Sequence, residues 1–125
     1  RDTPLISLQQ EANFGSGPVY SVAAFEDGTV VYTGVAHVDV IGVHSFETEP
    51  STITSIAQNA QIPGYFDWQD SYEERVITDQ STVITSMRWE DRFKRIVRYE
   101  GDPNTPVGVV RIEETINRLV TNLLG

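Results

Sequence analysis

Cysteine is absent from this chain, and that one absence removes disulfides, thiolate metal sites and a cysteine nucleophile together. It leaves the compartment open, because cysteine-free proteins occur on both sides of a membrane. No apolar run approaches the roughly 20 residues that a membrane span requires, so a soluble chain is expected. Basic residues are in deficit: nine Lys and Arg stand against eighteen Asp and Glu, a net charge of −9. Phosphate contacts need a cationic face, which argues against nucleic-acid binding. Internal repeats, low-complexity tracts and linker-like breaks in composition are missing too. The 125 residues therefore read as one domain, 1–125, large enough to bury a core without metal or disulfide support. The chain begins Arg1-Asp2-Thr3-Pro4, with neither an initiator Met nor an apolar leader. A cytoplasmic origin and an exported one after loss of an upstream segment both stay open.

What the chain does contain is a β-hairpin around which the rest is organised. Two runs rich in Val, Tyr and Phe, on either side of Glu26-Asp27-Gly28, span residues 17–34. A three-residue turn with Gly28 at positive φ pairs Phe25 with Thr29, Ala24 with Val30 and Val22 with Tyr32. Tyr20, Val22, Ala24, Val30 and Tyr32 then share one face, and Val19, Ala23, Phe25 and Val31 the other. A two-residue Asp27-Gly28 turn would shift the register by one, and the bulged form is preferred. Both faces are apolar enough for a central position in a sheet.

The hairpin also carries a resemblance. Asn13-Phe14-Gly15-Ser16-Gly17-Pro18-Val19-Tyr20, followed by Asp27-Gly28-Thr29-Val30-Val31-Tyr32-Thr33-Gly34, resembles the signature of a bacterial domain family of unknown function. Its members read Cys-Phe-Gly-x-Cys-Pro-x-Tyr and then Asp-Gly-x-Val-x-Tyr-x-Gly. Later pieces agree: an amphipathic helix, the aromatic pair Tyr65-Phe66, the Tyr72 and Thr78-Asp79 segment, a hairpin ending near Tyr99, then a Pro and a last helix. Asn13 and Gly17 stand where the family has its cysteine pair, so a disulfide, redox or metal role for that pair has no side chains here. The family implies no established activity.

Taken in order, the chain reads as strand, hairpin, further strand, helix, second hairpin and helix. Pro4-Leu5-Ile6-Ser7-Leu8 fits an opening strand. Gly15-Ser16-Gly17 leads into Pro18 and a strand, not into a helix whose amino terminus could hold an anion, so it does not read as a phosphate loop. Residues 35–46 alternate and extend the sheet, with Gly42 as a bend or bulge. His37 and Asp39 would share a face of that strand, which reads first as a polar solvent face, with a weak metal site or an Asp-oriented imidazole as the lesser alternative. His44 falls on the opposite face, and a metal normally takes three or four protein ligands, so no metal and no cofactor is predicted.

Thr48-Glu49-Pro50-Ser51 reads as a helix start with a hydroxyl cap, and Ile53, Ile56, Ala57 and Ala60 as its buried stripe. Pro63-Gly64 ends it, and Tyr65-Phe66-Asp67-Trp68 seals the core, with Trp68 and Tyr72 as alternative exposed contacts. Residues 69–80 read as a long acidic loop that is mobile or functional. The acids in and just before it, Asp67, Asp70, Glu73, Glu74 and Asp79, lack the spacing of a calcium loop. A second hairpin turns at Glu90-Asp91-Arg92 and places Arg88, Lys94 and Arg98 on one cationic face. Thr105-Pro106 reads as the cap of a closing helix with Val109, Ile112, Ile116, Leu119, Val120 and Leu123 buried, and Arg111, Glu114, Asn117 and Arg118 wet.

The expected fold is α+β: a largely antiparallel sheet of five or six strands with two helices packed on one face. Sequence ranks a non-catalytic binding or protein-interaction module first, with a protein partner or homodimer, through Trp68, Tyr72, Asp79, His37 and Asp39. A carboxylate-using hydrolase built on Asp39, His37 and Asp79 is second. A subunit of a larger assembly, its basic strand face meeting the acidic 67–79 loop of another copy, is third.

Overall fold

The first hairpin turns as its glycine dictates. Gly28 takes φ 95°, its N–H donates to the Phe25 carbonyl at 3.0 Å, and the Phe25 N–H donates to Thr29 at 2.8 Å. Val22 lies opposite Tyr32 and Ala24 opposite Val30, all four buried. The computed structural model describes residues 3–13 and 15–125; Arg1, Asp2 and the Phe14 of the hairpin motif lie outside the described residues.

The elements are β1 (Ile6–Glu11), β2 (Val19–Ala24), β3 (Thr29–Ala36), β4 (Gly42–Glu47), α1 (Pro50–Asn59), β5 (Ser71–Tyr72), β6 (Thr82–Trp89), β7 (Arg92–Tyr99) and α2 (Val107–Leu124). They form an α+β fold around a sheet of seven strands, ordered β4-β3-β2-β1-β6-β7-β5, in which only β5 runs parallel to its neighbour. The strand beyond the expected five or six is β5, a two-residue piece inside the segment read as a loop. The Val97 N–H donates to the Asp70 carbonyl at 2.9 Å and Tyr72 is buried, so this part of the segment is tied to the sheet. Among the described residues no helix is long and apolar enough to cross a membrane.

Both helices lie on the face that carries Ile6, Leu8, Val22, Val30, Met87 and Ile96. Ile53, Ala57 and Ala60 of the α1 segment and Val109, Ile112, Ile116 and Val120 of α2 complete one apolar core with them. Neither expected hydroxyl cap forms. Glu49 and Pro106 occupy the two N-cap positions without a side-chain cap. Thr48 and Thr105 therefore sit one residue too early to reach the first-turn N–H groups, and the Thr105 hydroxyl is buried without a hydrogen-bond partner among the described residues.

Two strand readings need correction. Residues 35–46 are not one strand, because His37 at φ 56° and Gly42 at φ 97° reverse the chain between β3 and β4. The Tyr32 hydroxyl donates to the Val40 carbonyl at 2.9 Å and holds this turn, so His37 and Asp39 lie in a connection. The second hairpin turns in two residues, with Trp89 opposite Arg92 and Arg88 opposite Phe93. A one-residue change of register moves a whole strand's side chains to the other face. Lys94 and Arg98 thus point to the helix side, opposite Met87 and Val83, while Arg88 points to the open side, and the three do not form one cationic face.

Candidate functional site

Where α1 and α2 converge over the sheet they leave a groove of about 690 Å³. Ile56, Ala60, Ile62, Pro63 and Trp68 line one wall, and Val107, Gly108 and Ile112 the other. The aromatic segment ahead of Trp68 braces its wall from behind. Tyr65–Asp67 is a single 3-10 turn, with the Tyr65 ring edge-on to Phe66 at 5.8 Å and to Trp68 at 5.9 Å. Trp68 reaches α2 only because Gly108 has no side chain: a Cβ there would stand 2.5 Å from the indole. Lys94 donates to the Trp68 carbonyl and pairs with Asp70 at 2.8 Å, which fixes the segment from the sheet side. The rim is apolar and wet, with Ile62 85% and Val107 65% exposed. Among the described residues, Arg111 is the only charged one in the lining.

A second concavity of about 370 Å³ lies where β2 and β3 meet the end of α2, and its lining includes Tyr20, Tyr32, Asp39, Val40 and Asn117. The Tyr20 hydroxyl donates to Asn117 Oδ1 at 2.6 Å, so Asn117, expected on the wet side, serves an internal contact. Burial pushes the Tyr20 hydroxyl up to about 12, the Asn117 hydrogen bond opposing and the Glu113 charge adding to it. Burial likewise raises Tyr65, whose hydroxyl meets Thr85 Oγ1 at 2.8 Å, and Tyr32, where Asp39 adds to the effect.

These directions predict an alkaline limit to stability. A tyrosine whose folded value exceeds the unfolded 10.0 stabilises the fold fully below that unfolded value, and the contribution is lost as pH rises through the folded one. Stability should fall from about pH 10 upward. In an absorbance titration at 295 nm, Tyr20, Tyr32 and Tyr65 should titrate late, together with the loss of far-ultraviolet circular dichroism. Ionisation of these three near pH 10 with the fold intact would contradict this.

Between the two concavities, beneath α2, lies an ion pair that sequence reasoning missed. Arg98 donates through Nε to Glu113 Oε2 at 2.7 Å and through a terminal nitrogen to Oε1 at 2.5 Å, with both side chains buried. Burial raises the Glu113 carboxyl, and the Arg98 hydrogen bonds and charge pull it only part of the way back. Burial also works against the Arg98 charge, but there Glu113 more than offsets it. The signal was available: Glu113 follows Val109 by four and precedes Ile116 by three, which places it inside the buried stripe of α2.

The remaining sequence-selected residues do not converge. Tyr72 is buried, its hydroxyl accepting from the Gln69 N–H at 2.9 Å, so it offers no exposed contact. Trp68 is half-buried in the groove wall. His37 and Asp39 are exposed in the β3–β4 connection, and Asp79, exposed at φ 64°, precedes β6. Since β2 and β1 lie between β3 and β6, the two connections stand roughly 14 Å apart across three strand spacings. Asp39 joins the Tyr20 concavity without His37 or Asp79. Among the described residues no group of three or more His, Asp or Glu is placed to hold a metal ion. Asn13 donates to the Gln80 carbonyl at 3.0 Å and to Thr82 Oγ1 at 2.7 Å, tying the loop before β2 to the start of β6.

No curated protein matches the chain. The model of a domain of unknown function, DUF6438, matches residues 4–120, and the chain belongs to that family.

Proposed function

We propose that this chain is a non-catalytic protein-interaction module whose α1–α2 groove holds an apolar segment of a partner bearing a carboxylate. The observation that carries the reading is the groove's make-up: apolar walls, an indole on one side, exposed Ile62 and Val107 on the rim, and Arg111 as its one charge. Apolar concavities with a few polar groups are the usual form of a binding site, and a single cation in such a wall favours an anionic end of the ligand. The groups whose protonation burial perturbs point the same way. Tyr20, Tyr32, Tyr65 and Glu113 engage Asn117, the Val40 carbonyl, Thr85 and Arg98, all internal partners.

The test uses 1-anilinonaphthalene-8-sulfonate, a fused apolar ring carrying an anion, in a Trp89→Phe background so that Trp68 alone reports by energy transfer. Val107→Asp and Ile62→Asp, both at exposed positions, should weaken probe binding at least about tenfold with the fold intact. Arg111→Ala should weaken it several-fold. Binding at unchanged affinity in all three variants, or no energy transfer from Trp68, would remove the groove as the site.

A further inference from the structure

The two edges of the sheet are finished differently. At one end the two-residue β5 blunts the edge; at the other, the six-residue β4 pairs only with β3. Edge strands normally carry a Lys, a Pro or a bulge that blocks further pairing. Gly42-Val43-His44-Ser45-Phe46-Glu47 has none of these, and Val43 is 69% exposed.

Which backbone groups face outward follows from two hydrogen bonds. The Phe25 N–H donates to Thr29, so the odd positions of β3 bond to β2. The Thr48 N–H donates to Gly28 at 2.8 Å, so even positions of β3 and β4 bond to each other. Antiparallel ladders alternate, which leaves the N–H and C=O groups of Val43, Ser45 and Glu47 directed at the open edge. These three positions are symmetric about Ser45.

We infer that β4 is a homodimerisation edge, at which two copies pair β4 with β4 antiparallel about a two-fold axis through Ser45. That register bonds Ser45 to its own counterpart and Val43 to Glu47 of the second copy in both directions, so every outward group of the three residues is used. It brings His44 opposite Phe46 of the other copy on the helix side, a non-hydrogen-bonded pair in which side chains come closest. No carboxylate meets a carboxylate: Glu47 faces Val43, and Ser45 separates the two acids. Sliding one strand by a single residue sets outward groups against inward ones, and moving the axis to His44 or Phe46 pairs only two of the three outward residues with each other. The occupant is a second copy because a two-fold axis completes this ladder without any other sequence. The inference goes beyond the groove reading and does not depend on it.

Strands of six residues bury less than a standard interface of roughly 1,200 Å², so the dimer should dissociate on dilution. With a net charge of −9 per chain, added salt should tighten it. Sedimentation equilibrium should show the mass rising towards twice that of one chain with concentration, more steeply at high salt. Ser45→Pro removes the central N–H, and Val43→Lys places a charge on the edge. Neither touches a bond within the chain, so both should be folded monomers by circular dichroism. Ile62→Asp should still dimerise, which separates this surface from the groove. A wild-type monomer up to about 1 mM, or a dimer that persists in both folded edge variants, overturns the assignment. So does association that weakens with salt, the behaviour of a basic face meeting the acidic loop.

Discussion

Replacing Gly28 with alanine is expected to cost about 3–5 kcal/mol, a large share of the stability of a domain this size. Two effects add. The residue sits at φ 95°, where an L side chain costs about 1–2 kcal/mol. The new Cβ would also lie 2.1 Å from the Thr48 carbonyl oxygen, so the junction between β4 and α1 must move. That junction is pinned to the turn by the Thr48 N–H on the Gly28 carbonyl, and moving it lengthens this bond as well. Gly28→Asn separates the contributions. Asparagine tolerates the left-handed backbone, so if φ alone mattered it would recover most of the loss. Because the carbonyl approach dominates, Asn and Ala should fall within about 1 kcal/mol of each other in urea unfolding. An asparagine variant close to wild type would show that the close approach is not what fixes glycine there.

That same turn shows why the first hairpin was legible in sequence and the second was not. Asp27-Gly28 announces its own conformation, because one residue without a Cβ explains the reversal, and the pairing of Val22 with Tyr32 follows from counting. Glu90-Asp91 contains no such residue. Glu90 adopts φ 54°, a conformation an acidic side chain seldom takes, and nothing in the sequence separates this two-residue turn from a three-residue one. One residue of register was enough to scatter a cationic face that existed only on paper. The helices were readable from their stripes, but not their starts, since the two threonines that look like caps stand one position outside the N-caps. β5 has two residues and therefore no period to detect. The groove depends on the spacing between helices, which no local pattern encodes; its one trace in the sequence is Gly108, a helix-interior glycine whose use is to admit Trp68.

The register error also hid Arg98, and the pair it makes sets up the second large effect. Glu113→Leu is expected to cost about 3–5 kcal/mol, whereas the double variant Arg98→Met/Glu113→Leu should come within about 1 kcal/mol of wild type. Removing the carboxylate alone leaves a guanidinium under α2 with Glu100 no closer than 3.8 Å, and strips both of its short hydrogen bonds. Removing both charges removes the desolvation that each suffers. Burial works against both charges, and in a buried pair the mutual attraction offsets that desolvation without much surplus, so the pair is expected to add little net stability over an apolar packing of the same shape. What it contributes is specificity, because a bidentate contact between β7 and α2 fixes the rotation of the helix that carries Arg111 and Val107 to the groove. The double variant should therefore unfold at nearly the wild-type urea midpoint yet bind the anilinonaphthalene probe less tightly. A coupling energy near zero in the double-mutant cycle, or a double variant as unstable as Glu113→Leu, would show that Arg98 and Glu113 act independently.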